Sequence, residues 1–245
     1  MKISKEHVNK FKQIKTLCFK TTKFPKIDNW KRMTSNEIWL DLFVQVIVIG
    51  GAAAAQRFYD RTDLRRLVSY RRLSSLHDTM EIKKAINRAL RVVGSRYACK
   101  DVSRCKKTQA LAHDLKILQE FKGGPRGLLK RVAEFSGPYA TKRRIKYFMK
   151  IFKGGSVQSK SARDFLMEHG LIKDAVAIDI RIQNILRKVG IRVPKGLQNT
   201  PRIYDYVEEE ILNKICKPLR VTGMELDRML FQNYDKIKEM KFKRE

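Results

Sequence analysis

The chain is short of acid. Its 245 residues hold 25 Asp and Glu against 54 Lys and Arg, a net charge of +29 with a pI near 10.2. From Phe135 to Arg163 there is no acid at all. Charge of that size opposes compaction, and a polyanionic partner is the usual compensation. Nucleic acid leads among polyanions, because neutralising phosphates releases counterions. Cysteine is sparse as well: Cys18, Cys99, Cys105 and Cys216 form no C-x-x-C pair. That spacing excludes a structural zinc site and a four-cysteine iron–sulfur loop. His7, His77, His113 and His169 are isolated from one another, so neither a metal nor a cofactor is expected. Residues Met1 to Asn29 are basic and polar, without the apolar centre of a signal peptide. Free thiols and an intracellular location, cytoplasm or nucleoid in a prokaryote, are therefore expected. Long apolar runs are missing too. The best candidate, Ile38 to Ala55, contains Asp41, Gln45 and Gly50-Gly51, and reads as a buried core helix rather than a membrane span. A monomer without a membrane partner is the default.

What is present is helical patterning. Apolar residues make up 43% of the chain and recur at the i, i+3, i+4 period, with no convincing run of alternating strands. The length suits one sizeable core or two lobes sharing a cleft. Residues 1–33 carry ten basic residues and two acids, a basic arm or first helix. "TSNEIW" offers Thr34 or Ser35 as an N-cap with Glu37 following, so a helix is predicted from there to about Phe58. Further helices are predicted over 61–74, 79–96, 107–121, 126–134 and 139–153. Four more follow over 160–169, 180–189, 200–214 and 223–240, punctuated by Gly170, Gly190, Gly223, Pro194 and Pro201.

The predicted helix 139–153 ends at Gly154-Gly155, and a new one starts near Ser159 or Lys160. Two helices joined by so short a turn form a helix–hairpin–helix. Its turn exposes backbone N–H groups beside a helix N-terminus, a geometry suited to a DNA phosphate. Lys142, Arg143, Arg144, Lys146, Lys150, Lys153, Lys160 and Arg163 surround this stretch, and their lack of acids points to phosphate contact. Asp179 stands nineteen residues after Lys160, directly before the apolar positions Ile182, Ile185, Leu186 and Val189. Alone it reads as an N-cap. Paired with Lys160 across one helix and a returning loop, it can also reach the mouth of one cleft.

These residues resemble the helix–hairpin–helix DNA glycosylases with a Gly-Pro-Asp loop. The family hairpin, Gly-apolar-Gly-x-Lys, corresponds to Ser156-Val157-Gln158-Ser159-Lys160. Its Asp-x-His-apolar segment, ending in Leu-Gly, corresponds to Asp179-Ile180-Arg181-Ile182 through Val189-Gly190. Ser156 and Gln158 replace the hairpin glycines, and Arg181 stands where histidine is common. "EIWLDLFVQVIVIGGAAAAQRF" is similar to the family's long buried helix, and "ELDRMLF" resembles the archaeal 8-oxoguanine glycosylase branch, with Phe231 where that branch favours tryptophan.

The resemblance implies an all-α, two-lobed fold with a cleft between the lobes. It places a glycosylase domain over 34–245, its hairpin at about 139–170 and its aspartate loop and helix at 174–190. The implied activity is a base-excision glycosylase with AP-lyase activity, acting on double-stranded DNA that contains a damaged base, 8-oxoguanine first. Lys160 would attack the sugar C1′ as a neutral amine and form a Schiff base; burial, the helix N-terminus and cationic neighbours favour that form. Asp179 would stabilise positive charge on the sugar. Gln45, Asp227 and Phe231 would line the base pocket; read alone, they are equally a core amide, a helix-surface acid and a core aromatic. Gly155, Val157, Gln158, Ser159 and Arg181 would meet the DNA backbone. A non-catalytic helix–hairpin–helix DNA-binding protein, or a glycosylase for another lesion, fits the charge and hairpin as well.

Overall fold

The structure is a computed structural model that describes residues 1–49, 51, 53–198 and 200–242. All regular structure among them is helical. The chain opens with α1 (Lys5–Cys18), which starts at a capping box: the Ser4 N–H donates to His7 Nδ1 at 3.0 Å. Then come α2 (Ser35–Ile47), α3 (Ala53–Tyr59), α4 (Thr62–Leu67), α5 (Tyr70–Ser74), α6 (Thr79–Val92), α7 (Lys106–Glu120), α8 (Gly124–Ala133) and α9 (Ala140–Ile151). The last third holds α10 (Ser159–Glu168), α11 (Ile180–Lys188), α12 (Pro201–Ile211), α13 (Lys217–Leu219), α14 (Gly223–Gln232) and α15 (Tyr234–Glu239). A single π turn, Leu212–Cys216, carries α12 into α13.

The chain divides into two compact units, Asn29–Gln158 and Met1–Asp28 together with Ser159–Glu245. In the unit Asn29–Gln158, Thr34 caps α2 and Glu37 completes the capping box. The buried Trp39 indole donates to the Val68 carbonyl at 2.8 Å, and Phe43 stacks on Phe58 at 5.3 Å. The helix predicted from Thr34 to Phe58 is two helices, α2 and α3. Gly51 falls between them, where a glycine costs about 1 kcal/mol of helix propensity; Gly50 and Ala52 lie outside the described residues. The helix predicted over 61–74 also divides, because the Ser69 hydroxyl accepts from the Arg72 N–H and starts a new one.

In the other unit, Phe11, Ile14 and Cys18 of α1 lie on one face and are fully buried. They share a core with Ile182 and Leu186 of α11, Tyr204 and Val207 of α12, and Met229 and Leu230 of α14. The start of α14 sits against the chain at Ala175. A β-carbon on Gly223 would stand 2.5 Å from the Ala175 oxygen and 2.7 Å from its nitrogen, and the Met224 N–H donates to the Lys173 carbonyl at 2.8 Å. That close approach positions the segment leading to Asp179. No helix among the described residues is long and apolar enough to cross a membrane.

Candidate active site

Lys160 occupies the first turn of α10, with about a quarter of its side chain exposed. Its Nζ pairs with Asp164 Oδ2 one turn on, at 2.9 Å. The other Asp164 oxygen meets Arg228 Nη1 at 2.9 Å; Arg228 also reaches Glu168 at 3.0 Å and Asp227 at 3.7 Å. Lys160 is thus one end of a chain of alternating charges that leads to Asp227. Asp227 is only 2% exposed, so it is not the helix-surface acid its sequence position allows. Burial pushes its carboxyl up to about 7, Arg228 pulls the other way, and the charge of Lys160 reaches it too.

The stretch before Asp179 is held by side chains at three successive amides. The Val176 N–H donates to Glu208 Oε1 at 2.8 Å, the Ala177 N–H to Asp227 Oδ1 at 2.8 Å, and the Ile178 N–H to the Tyr204 hydroxyl at 2.6 Å. Tyr204 in turn donates to the Val176 carbonyl at 3.0 Å, and the Gln198 amide donates to the Ile178 carbonyl at 2.6 Å. Asp179 then caps α11, its Oδ1 accepting from the Ile182 N–H at 2.9 Å. A loop whose amides all point at buried acceptors has one conformation, and Asp179 is carried at its end.

Arg163 connects the two halves of this arrangement. The sequence lists it among cations open to phosphate, whereas the structure buries it at 3% exposure. Its guanidinium makes two contacts of 2.9 Å and one of 2.7 Å to Glu208, bonds Asp205 at 2.7 Å, and lies 4.4 Å over the Tyr204 ring. Its Nη1 also donates to the Ser159 carbonyl at 3.0 Å, inside the turn that bears Lys160. Glu208, Tyr204 and Asp164 have no motif in the sequence, and Arg228 sits inside "ELDRMLF" without being singled out there. Only the helical spacing of Tyr204 and Glu208 on one face of α12 hints that they act together.

Phe231 is 38% exposed, not a core aromatic, and lies 4.7 Å beneath the Arg181 guanidinium. These two expected site residues, from α14 and α11, are therefore neighbours. Gln45 belongs to the unit Asn29–Gln158; its amide oxygen is buried and accepts no hydrogen bond among the described residues. An orphaned acceptor of this kind is costly in a core and calls for an explanation. Among the described residues, no cluster of three His, Cys, Asp or Glu side chains could hold a metal.

The turn between α9 and α10 spans residues 152–158. Gly154 takes a left-handed φ of 89°. The Gly155 N–H donates to the Phe152 carbonyl at 2.9 Å, so this amide, expected at a phosphate, is committed inside the turn. The Ser156 N–H is committed too, to Asp114. The Val157 N–H makes no backbone hydrogen bond among the described residues; the Val157 side chain and Ser159 are buried, and Gln158 is exposed.

No family model and no curated protein matches the chain. In fold, however, the chain is similar to 8-oxoguanine DNA glycosylases. The enzyme of Thermotoga maritima matches with a TM-score of 0.57 at 20% identity, over 92% of this chain and 94% of its own. The 8-oxoguanine glycosylase/lyase of Methanocaldococcus jannaschii, in complex with DNA containing 8-oxoguanine, gives a TM-score of 0.61 at 17% identity, over 91% and 94%. A second structure of the glycosylase from that organism gives 0.58 at 17% identity, over 93% and 90%. At this identity the likeness is one of fold, and it extends over nearly the whole chain.

Proposed function

We propose that this chain is a DNA glycosylase with AP-lyase activity that excises 8-oxoguanine, with Lys160 as nucleophile and Asp179 as the carboxylate beside the sugar. One observation carries the reading most. Lys160 opens α10 and Asp179 opens α11 within a single unit, and Arg163 and Glu208 tie the turn of the first to the loop of the second. The whole-length likeness to 8-oxoguanine glycosylases supports the same reading.

Lesion excision needs the base out of the stack. Lys160 then leaves Asp164, loses a proton to solvent and attacks C1′ as a neutral amine. The glycosidic bond breaks, and its electron pair leaves with the base. Asp179 keeps Oδ1 on its helix cap and offers Oδ2 to the positive charge on the sugar. The C1′–O4′ bond of the sugar then opens, O4′ taking a proton and the nitrogen giving one up, and the resulting Schiff base permits β-elimination of the 3′ phosphate. Asp227, held near neutrality, can donate or accept a hydrogen bond at the base, and Phe231 offers a stacking face. Arg181 and the turn residues Val157, Gln158 and Ser159 serve the DNA backbone. The partner is duplex DNA.

Borohydride added to the full chain with an 8-oxoguanine duplex should trap a covalent protein–DNA adduct. Lys160→Gln should lose the adduct and keep duplex binding. Trapping that survives in Lys160→Gln refutes the nucleophile. Binding with neither trapping nor base release on any of a panel of lesions makes the chain a non-catalytic DNA-binding protein.

A further inference from the structure

The turn at 152–158 is held from below by a residue that no motif in the chain points to. Asp114, in the middle of α7, is fully buried. The Ser156 N–H donates to both of its carboxylate oxygens, at 3.3 and 3.1 Å, and the Ser156 hydroxyl donates to Oδ2 in a further short contact. Its neighbour His113 places Nε2 3.2 Å from the Lys153 carbonyl, so two successive residues of α7 grip the turn. Burial pushes the Asp114 carboxyl up to about 6, and the two Ser156 hydrogen bonds pull it back down. A buried carboxylate is costly unless hydrogen-bonded, and here the turn supplies the bonds.

Two features of the turn follow from this contact. A β-carbon on Gly155 would fall inside the Asp114 carboxylate and 3.3 Å from His113 Cδ2, so any larger residue at 155 would push the Asp114 carboxylate aside. Position 156 is the other: the glycosylase hairpin has glycine there, and this chain has a serine whose hydroxyl and amide both bind Asp114.

We propose that Asp114 is the positioning residue of the hairpin turn, fixing Ser156 so that the backbone from Val157 onward is set for a DNA phosphate. The proposal rests on the glycosylase reading, because that reading makes the turn a phosphate contact. A negative charge beneath a phosphate site opposes the phosphate, so the contribution of Asp114 is geometric. Asparagine keeps an oxygen for the Ser156 N–H and removes the charge; alanine removes both. Comparing these two variants separates holding the turn from charge.

The experiment measures Kd for a lesion-free duplex, and the borohydride trapping rate at saturating 8-oxoguanine duplex. The full-length variants are Asp114→Asn, Asp114→Ala, Gly155→Ala and the Asp114→Ala/Gly155→Ala pair. Asp114→Asn should bind at least as tightly as wild type. Asp114→Ala should bind more weakly than Asp114→Asn, on the order of tenfold for the lost hydrogen bonds, with a smaller effect on the saturated trapping rate. Gly155→Ala should weaken binding in wild type and cost less in the Asp114→Ala background, where its collision partner is gone. Amide exchange at Ser156 should quicken in Asp114→Ala and stay slow in Asp114→Asn, which judges the contact even if alanine loosens the fold. Equal Kd for Asp114→Ala and Asp114→Asn, or a Gly155→Ala cost unchanged by the background, overturns the proposal alone. A wild-type chain that does not bind duplex overturns the glycosylase reading and the proposal with it.

Discussion

Arg163→Met tests the strut between α10 and the loop before Asp179. The substitution keeps an aliphatic stem over the Tyr204 ring and removes three contacts of 2.7–2.9 Å to Glu208. Glu208 is 7% exposed, and its remaining partner here is the Val176 N–H. Removing one partner of a buried ion pair leaves an uncompensated charge, a loss of about 3–5 kcal/mol. For a chain of this length that corresponds to a melting temperature lower by about 6–20 °C. The second variant, Arg163→Met/Glu208→Leu, removes both charges. It orphans the Val176 N–H, at about 1–3 kcal/mol, and so should be more stable than Arg163→Met alone. Asp205 loses only a contact at its half-exposed carboxylate and stays solvated. Urea unfolding at pH 7 of wild type, the single and the double variant reads the three free energies. A single variant within about 1 kcal/mol of wild type refutes the strut, and so does a double variant less stable than the single.

Asp227→Asn should change how stability depends on pH. The folded carboxyl titrates at about 7 against an ordinary 3.8, so the folded state holds the proton more tightly. Its stabilising contribution is complete below about 4 and lost as pH rises through about 7. Urea midpoints should therefore move in favour of Asp227→Asn across that window, and parallel curves contradict the burial argument. Gly223→Ala should lose about 1–3 kcal/mol by thermal unfolding, because its β-carbon meets the Ala175 backbone, which cannot swing aside as a side chain would; an unchanged midpoint refutes that close approach.

The sequence is most legible where the signal is local. Thr34 and Glu37 form the capping box that "TSNEIW" indicates, and Asp179 caps α11 as its place before an apolar helix implies. Breaks inside helical patterning are harder to read. Ser69 and Gly51 interrupt stretches whose apolar period runs on, and period outweighs a single breaker when both are read from one sequence. The partners of the candidate site are harder still. Glu208 meets Val176 from 32 positions away and Asp227 meets Ala177 from 50. No spacing rule reaches that far, since these contacts exist only once α12 and α14 pack against the loop.

Folding alters what the missing acids mean. The run from Phe135 to Arg163 contains no acid in sequence, yet the turn inside it rests on Asp114 from 42 residues upstream. Glu208 and Asp227 are likewise buried beneath the segment that leads to Asp179, and Asp164 sits half-buried against Lys160. Each of these acids binds backbone amides or an arginine or lysine of the candidate site, where a charge-assisted hydrogen bond fixes geometry more firmly than a neutral one. Glu208 and Asp164 pair with the buried Arg163 and Arg228, so these acids are spent on buried cations. A chain with 25 acids and a net charge of +29 can thus carry ordered loops and still keep a large excess of cations.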